Sequence, residues 1–399
     1  MGFLEELTED QLWQEFLERK KEQKSLSPRE EKELADYVKS RRYKKQAEEI
    51  RRGAAFPIPE KHRISKTGTD KKRTVYEFSG DFGYLLKMAA WRLYRYDGIF
   101  ADNLWSFRSG KTVRQGIRHL LNGCAGHEWY SCKVDIHNYF NSIPVHRLLL
   151  MLENIFGKDA EETAFCRRLL LDPRAVFGGK IVCEEKGAMA GMPLSAFFAN
   201  VYLMELDAWF EERKILYARY SDDIIVFAER EEQIREYRER ITEFIRESGL
   251  TFNPEKVEET APGEPWCFLG VKVRGSEVDV APISVKKIKK KMKRKADALV
   301  RWKKRKGASG ERAARAFIRC FNRKFFENPV HSELTWCRWY FPLITTDKSL
   351  RVIDHYMQDC VRYVFLGRHS KAGYNLRYET MKEYGYRPLT AAYYELPGK

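Results

Sequence analysis

Two aspartates stand side by side at Asp222-Asp223, between the apolar runs Tyr217-Ala-Arg-Tyr220 and Ile224-Ile-Val-Phe227. Both runs have the length and composition of strands, so the chain must turn between them and carry two like charges at the turn. Adjacent carboxylates repel each other unless a cation is present. Neighbouring side chains on an extended backbone point to opposite faces, so only one aspartate can face a sheet squarely while the other sits near the turn. A cation site there needs a further carboxylate. Asp135 supplies it, at the end of the alternating run Tyr130-Ser-Cys-Lys-Val-Asp135-Ile136. Three aspartates on adjacent strands can clamp two Mg2+, an ion that prefers hard oxygen ligands. Such a pair would activate a hydroxyl nucleophile and stabilise a pyrophosphate leaving group. Taken alone, the same residues also make a solvated hairpin turn.

Composition narrows the classes. With 43% hydrophobic and 14% aromatic residues, the 399-residue chain has enough apolar material for a real core, which excludes disorder over most of it and suits two to four folding units. No stretch approaches 18 consecutive apolar residues, so no membrane span is expected. The acidic start MGFLEELTEDQLW is unlike a secretory signal. Eight cysteines form no CxxC pair, which supports neither a zinc ribbon nor a disulfide scaffold and suits reduced, mostly buried thiols in a cytoplasmic protein. His137 and His146 flank Asp135 without metal-ligand spacing and read as packing or polar residues. Lys and Arg number 73 against 57 Asp and Glu, a net charge of +16. A chain this basic should bind polyanions, nucleic acid first and a membrane surface second.

Along the chain, Thr8-Glu-Asp-Gln11 and Ser27-Pro-Arg-Glu30 both read as helix starts with capping boxes. Residues 1–55 are therefore expected to form a helical extension, joined by the linker Ala54–Pro59 to a mixed α+β body over 56–280. Phe177-Gly-Gly-Lys180 reads as a tight hairpin, Ser195–Arg213 as one amphipathic helix, and Glu231–Ser248 as a charged helix ended by Gly249. Phe268–Val273 reads as a last strand pair. Residues 281–330 are expected to be a basic helical segment, since Lys286–Lys306 holds thirteen Lys or Arg against one Asp. Residues 331–399 are aromatic-rich, and Trp336, Trp339, Tyr340 and Phe341 are expected to pack in a helical bundle. The order of strands and helices suits an α+β fold with helices on one face of an antiparallel sheet.

Several segments together resemble the reverse transcriptases. Lys133-Val-Asp135-Ile-His-Asn-Tyr-Phe140-Asn-Ser-Ile143 is similar to their motif A. Gly187-Ala-Met-Ala-Gly191-Met-Pro193-Leu-Ser195, continued to Leu203, is similar to motif B, and Tyr220-Ser-Asp-Asp223 to the YxDD box of motif C. Gly249-Leu-Thr-Phe-Asn-Pro-Glu-Lys256 resembles motif D and Phe268-Leu-Gly270 the primer grip. Upstream, Lys71-Lys72-Arg73-Thr-Val-Tyr76 and Ser106-Phe-Arg108-Ser-Gly110-Lys111 resemble the fingers motifs of the group II intron-like bacterial enzymes. The resemblance runs over about residues 60–275, in order.

It implies a right-hand polymerase with fingers and palm over 56–280, a thumb over 281–330 and helical extensions at both ends. It implies an RNA-directed DNA polymerase that uses dNTPs and two Mg2+, for which Mn2+ can substitute. Asp135, Asp222 and Asp223, with the backbone carbonyl of Ile136, would hold the metal. Lys72, Arg73 and Arg108 would neutralise the triphosphate, and Lys256 would protonate pyrophosphate. Phe140 would lie under the sugar and exclude a 2′-hydroxyl, with Tyr139 as the alternative. Gly191 would let the backbone approach the template–primer, and Ser195 would cap the following helix. Lys289, Lys290, Lys291, Lys293 and Arg294 would contact the nucleic acid backbone.

There are departures. Where intron-type enzymes read Pro-Gln-Gly, this chain reads Met189-Ala190-Gly191, which puts ordinary template handling in doubt. The Val-Thr-Gly of retron enzymes, the Ser-Gln of diversity-generating retroelements and an endonuclease tail are not found. The remaining resemblance is to the defence-associated and abortive-infection enzymes of bacteria, which implies a cytoplasmic antiphage role and a dedicated structured non-coding RNA as partner. Three readings stay open beside it: a template-independent polymerase, synthesis primed on a tail tyrosine, and an idle RNA-binding scaffold of the maturase kind. Self-association is also open.

Overall fold

The computed structural model describes residues 2–23, 26–65, 72–252, 254–327 and 335–396. Its eleven strands are β1 (Glu60–Ser65), β2 (Lys72–Glu77), β3 (Tyr130–Asp135), β4 (Arg174–Phe177), β5 (Lys180–Cys183), β6 (Tyr217–Tyr220), β7 (Asp223–Ala228), β8 (Glu258–Thr260), β9 (Trp266–Phe268), β10 (Val271–Arg274) and β11 (Glu277–Val280). The described residues divide into two compact units, one running to Pro262 and one starting at Gly263.

The first unit is built on the antiparallel sheet β6-β7-β3-β8. Inward positions of its central strands, Cys132, Val134, Ile224 and Val226, are fully buried, as alternation on a half-covered sheet requires. The helix Glu231–Glu247 covers β3 and β7 with Ile234, Ile241, Phe244 and Ile245. Gly249, at φ +69°, ends it in the left-handed conformation where glycine is cheapest. A second sheet, β2-β1-β4-β5, contains the expected hairpin: Gly178 and Gly179 both have positive φ, as a two-residue type I′ turn demands.

Three sequence expectations are corrected here. Residues 54–59 form no helix or strand, but the helices before them are not a separate extension with a core of their own. Trp13, Phe16, Tyr37 and Tyr43 belong to the same hydrophobic core as Leu85, Leu148 and Phe198, and Phe56, inside the supposed linker, packs on Phe82 and Phe165. Ser27 forms its capping box with Glu30, but Thr8 does not: its hydroxyl donates to the Glu5 carbonyl at 2.7 Å, and Glu9 is the N-cap of the helix Asp10–Glu22. The helix expected over 195–213 is two, Ser195–Tyr202 and Met204–Glu212, broken at Leu203 (φ −114°, ψ 11°). Neither Pro nor Gly marks that break, so periodicity could not show it.

In the second unit β11-β10-β9 forms a three-stranded sheet, followed by the helices Pro282–Lys306 and Gly310–Phe325 and a set of C-terminal helices. The basic helix buries Ile288, Met292, Ala296 and Leu299, one apolar stripe at helical spacing. Asp354 joins the last helix to its neighbour by accepting from the amides of Leu389 and Thr390 at 2.8 and 2.9 Å. Tyr340 and Phe341 are buried, as are the tail tyrosines Tyr386 and Tyr393, whereas Tyr374 and Tyr394 are exposed.

Candidate active site

The aspartate cluster forms at one end of the first unit's sheet. β3 and β7 run antiparallel with Asp135 directly opposite Asp223, and the β6–β7 hairpin turns through Ser221 and Asp222. Cross-strand partners have Cβ atoms about 5 Å apart, so register alone brings two of the three carboxylates together. Asp222 follows Ser221, whose φ of +61° is uncommon for a residue with a side chain and costs about 1–2 kcal/mol. Positive φ at the first turn position alone is the pattern of a type II′ hairpin.

That turn is clamped from inside the protein. Ser221 donates its N–H to the Ser106 hydroxyl at 2.9 Å, and its carbonyl accepts from Arg219 at 3.2 Å. The Asp222 carbonyl accepts from the Ile136 amide at 3.2 Å, which ties the Asp135 strand end to the hairpin. Arg219 and Asp207 are both wholly buried and form an ion pair. Asp207 also accepts from the Tyr217 hydroxyl at 2.9 Å, and Asn200 both accepts from Ser106 at 3.1 Å and donates to its carbonyl at 2.8 Å. Breaking such a pair leaves a buried charge unpaired and costs about 3–5 kcal/mol.

The charges feel one another. Burial and then the Asp135 carboxylate raise Asp222 above the ordinary aspartate range. Burial, Asp222 and Asp135 push Asp223 up to about 6, against Lys133 and Lys256, which pull it down. Lys256 forms an ion pair with Asp135. Among the described residues no three His, Cys, Asp or Glu side chains are gathered so as to hold a metal ion. The donor types are still those a hard divalent cation takes: three carboxylate residues on abutting strand ends, with Lys256 paired to one of them.

Around the aspartates, Arg73 on β2 lies over the Phe140 ring, 5.8 Å from its centroid, and its charge reaches Asp222. Lys72 and Arg73 are exposed; Lys71 and Asn253 lie outside the described residues. Tyr139 is buried and its hydroxyl donates to the Ala199 carbonyl. Phe140 stays half-exposed, so the structure leaves Phe140, not Tyr139, on the accessible side. Phe107, to which the sequence gives no role, lies beside these rings. It has φ +55°, and its ring centroid is 6.2 Å from that of Phe140 and 6.0 Å from that of Tyr220.

Other expectations change. Arg108 is not a free phosphate ligand: its guanidinium pairs with Asp97 at 3.2 Å and donates to the Ala101 carbonyl at 2.6 Å, with only 6% of the side chain exposed. Gly191 has a structural cause: at φ +100°, a Cβ there would stand 3.0 Å from the Tyr76 carbonyl on β2. Ser195 does not cap its helix: it is the first helical residue, Leu194 stands at the N-cap, and the Ser195 hydroxyl donates to the Ala188 carbonyl at 2.7 Å. Ala190 is buried, with its N–H donated to the Asn141 side chain at 2.9 Å and its carbonyl accepting from Tyr76 at 2.8 Å. His137 and His146 are both exposed.

In the second unit, Lys290, Lys293 and Arg294 are exposed on the basic helix. Lys289 lies over the Tyr356 ring at 5.1 Å, and burial with Lys324 and Lys287 holds Lys291 below the ordinary lysine range. Lys289 and Lys291 are thus partly spent in packing. Lys286, Lys287, Lys293 and Arg294 form the open face.

No curated protein matches the chain. Solved structures similar to it include an apo telomerase from Candida tropicalis lacking its C-terminal domain, at 13% identity and a TM-score of 0.47 over 57% of this chain and 55% of that one. A Candida albicans telomerase in complex with the TWJ fragment of telomeric RNA aligns at 12% identity and a TM-score of 0.44, over 88% of this chain and 71% of that one. The chain thus spans about half the length of the first of these, and likenesses this slight carry no argument about what it does. The profile described as reverse transcriptase (RNA-dependent DNA polymerase) matches residues 64–273. That segment is more than half of the chain and holds all three aspartates, and the chain accordingly belongs to the reverse transcriptase family, with the α+β fold of right-hand polymerases.

Proposed function

We propose that the protein is an RNA-directed DNA polymerase whose site is Asp135, Asp222 and Asp223. The observation that carries this is the β3–β7 register, which sets Asp135 opposite Asp223 beside the clamped Asp222 turn, within the segment that matches the family. Divalent ions held by these carboxylates and the Ile136 carbonyl, Mg2+ with Mn2+ as a substitute, would supply charge neutralisation at the primer hydroxyl and the pyrophosphate. The chain's own groups do the rest. Lys72 and Arg73 bind the triphosphate, and Phe140 lies under the sugar. Lys256 leaves Asp135 to give its proton to pyrophosphate. Gly191 keeps the motif B turn close to β2, and Lys290, Lys293 and Arg294 contact the nucleic acid backbone together with Lys289 and Lys291 where these are open. Residues 281–330 serve as the thumb.

The template is proposed to be a dedicated structured RNA, and the role antiphage defence in a bacterial cytoplasm, on the strength of the sequence departures at Met189-Ala190-Gly191. Template-independent synthesis is the second reading. It is favoured by Ala190, which is buried and offers no side-chain amide to a template. The test is dNTP incorporation by purified protein with Mg2+, on a primed RNA template and with no template. Dependence on template and on Asp222 supports the first reading, template-free synthesis the second, and no incorporation under either condition refutes both.

A further inference from the structure

Ser106 lies in the Ser106-Phe-Arg108-Ser-Gly110-Lys111 segment, which resembles a fingers motif and of which Arg108 alone is expected at the triphosphate; Ser106 is wholly buried and points its hydroxyl at the turn that carries Asp222. The hydroxyl sits in the middle of a relay. It donates to the Asn200 side-chain oxygen at 3.1 Å and accepts the Ser221 N–H at 2.9 Å. Arg219 takes the peptide on the other side of the same residue, donating to the Ser221 carbonyl at 3.2 Å while Asp207 fixes its guanidinium. The chain beside Ser106 is joined to the same strand: Trp105 donates its N–H to the Arg219 carbonyl at 2.9 Å, and Arg219 donates its own to the Asn103 carbonyl at 3.1 Å.

Both backbone polar groups of Ser221 are therefore held, and Ser221 is the residue whose backbone must stay left-handed for Asp222 to follow it in its present direction. A serine leaves that conformation readily unless its surroundings fix it. Resting on the polymerase reading above, we propose that Ser106 and Arg219 are positioning residues for the Asp222 carboxylate: they hold the two peptides that flank Ser221, one each, and so set where Asp222 meets its cation. Neither residue touches substrate. This also assigns the Ser106-to-Lys111 segment a job behind the hairpin: Ser106 supports the turn while Arg108 is taken up by Asp97.

The test compares wild type with Ser106→Ala and with Ser106→Cys, a nearly isosteric side chain whose thiol is a weak acceptor. Three readouts are taken on full-length protein: kcat and KM for dNTP incorporation, Mn2+ affinity by electron paramagnetic resonance without substrate, and melting temperature. Loss of an outer hydrogen bond that orients a ligand typically costs about ten- to hundredfold in metal affinity or activity. The expected result for Ser106→Ala is a loss of that size in kcat and in Mn2+ affinity with KM for dNTP unchanged, and a smaller loss of the same kind for Ser106→Cys. If Ser106→Ala does not fold, Ser106→Cys decides. Wild-type Mn2+ affinity and wild-type kcat in the folded variants overturn the proposal, even if their melting temperature falls, because that is the outcome of a merely structural role. Should wild type bind Mn2+ yet make no DNA, the polymerase reading fails by itself and the Mn2+ comparison still judges the positioning role.

Discussion

Replacing Asp223 by Asn should make the metal-free protein more stable at neutral pH while destroying its response to Mg2+. The wild-type carboxyl is pushed up to about 6 by burial and by the Asp222 and Asp135 charges, from an ordinary 3.8. At about 1.4 kcal/mol for each tenfold change in proton affinity, the difference amounts to about 3 kcal/mol. The sign follows from linkage. Below pH 3.8 the group is protonated in both folded and unfolded chains and contributes nothing. Between pH 3.8 and about 6 the unfolded chain ionises first, so stability falls as pH rises, and above about 6 the whole penalty remains. Asn carries no charge and escapes it. For a unit of this size about 1 kcal/mol moves the melting temperature by about 2–4 °C, so Asp223→Asn in EDTA should melt about 6–12 °C higher than wild type at pH 7.5 and no higher at pH 3.5. Mg2+ should raise the wild-type melting temperature and leave the variant's unchanged. The assay is differential scanning fluorimetry across pH, with EDTA or Mg2+. An equal melting temperature at pH 7.5 in EDTA, or a gain of the same size at pH 3.5, would refute the claim that the buried Asp223 charge destabilises this site.

Other outcomes follow from the same geometry. Asp222→Asn should abolish incorporation of dNTPs and leave RNA affinity within about twofold in a filter-binding titration, because it removes no phosphate contact. Phe140→Ala should lose about ten- to hundredfold of the preference for dNTP over rNTP while retaining DNA synthesis, since the ring buries a 2′-hydroxyl without a partner; an unchanged ratio of kcat/KM values would place the sugar gate elsewhere. Changing Lys286, Lys287, Lys293 and Arg294 together to Gln should lower the log–log salt slope of RNA binding by about 0.7–0.9 for each phosphate that is no longer neutralised. Arg108→Ala should lower the melting temperature by breaking the Asp97 pair but leave KM for dNTP unchanged in the folded protein, and a large rise in KM would restore its assignment to the triphosphate.

The parts legible in the sequence are those whose signal is local. Alternation placed Asp135 at a strand end, the apolar runs on either side of Asp222-Asp223 made a hairpin, and a Gly-Gly pair announced another. What was not legible depends on partners far along the chain. A lone arginine looks the same whether it will meet a phosphate or, as Arg108 does, an aspartate eleven residues away. The network of Asn103, Ser106, Asn200, Asp207 and Arg219 comes from four separate segments, and no spacing rule collects them. One clue was present: Arg219 is a charged residue inside a run otherwise read as a buried strand, and a charge in such a place needs a buried counter-ion. Thr8 and Ser195 show a different limit. Each has the residue type that favours a cap, but Glu9 and Leu194 occupy the N-cap positions instead.

The packing of the first fifty residues separates what the chain inherits from what it can fold. The family match opens at residue 64, inside β1, and closes at residue 273, inside β10. A fragment cut at those ends would keep every family motif and still lose Trp13, Phe16, Tyr37, Tyr43 and Phe56 from the core they share with the sheet. It would retain only the last two residues of the strand that pairs with β2, and would part β10 from β11. The smallest autonomous catalytic piece of this protein is therefore larger than the segment by which its ancestry is recognised, and the helices before the match are as much a part of that piece as the aspartates.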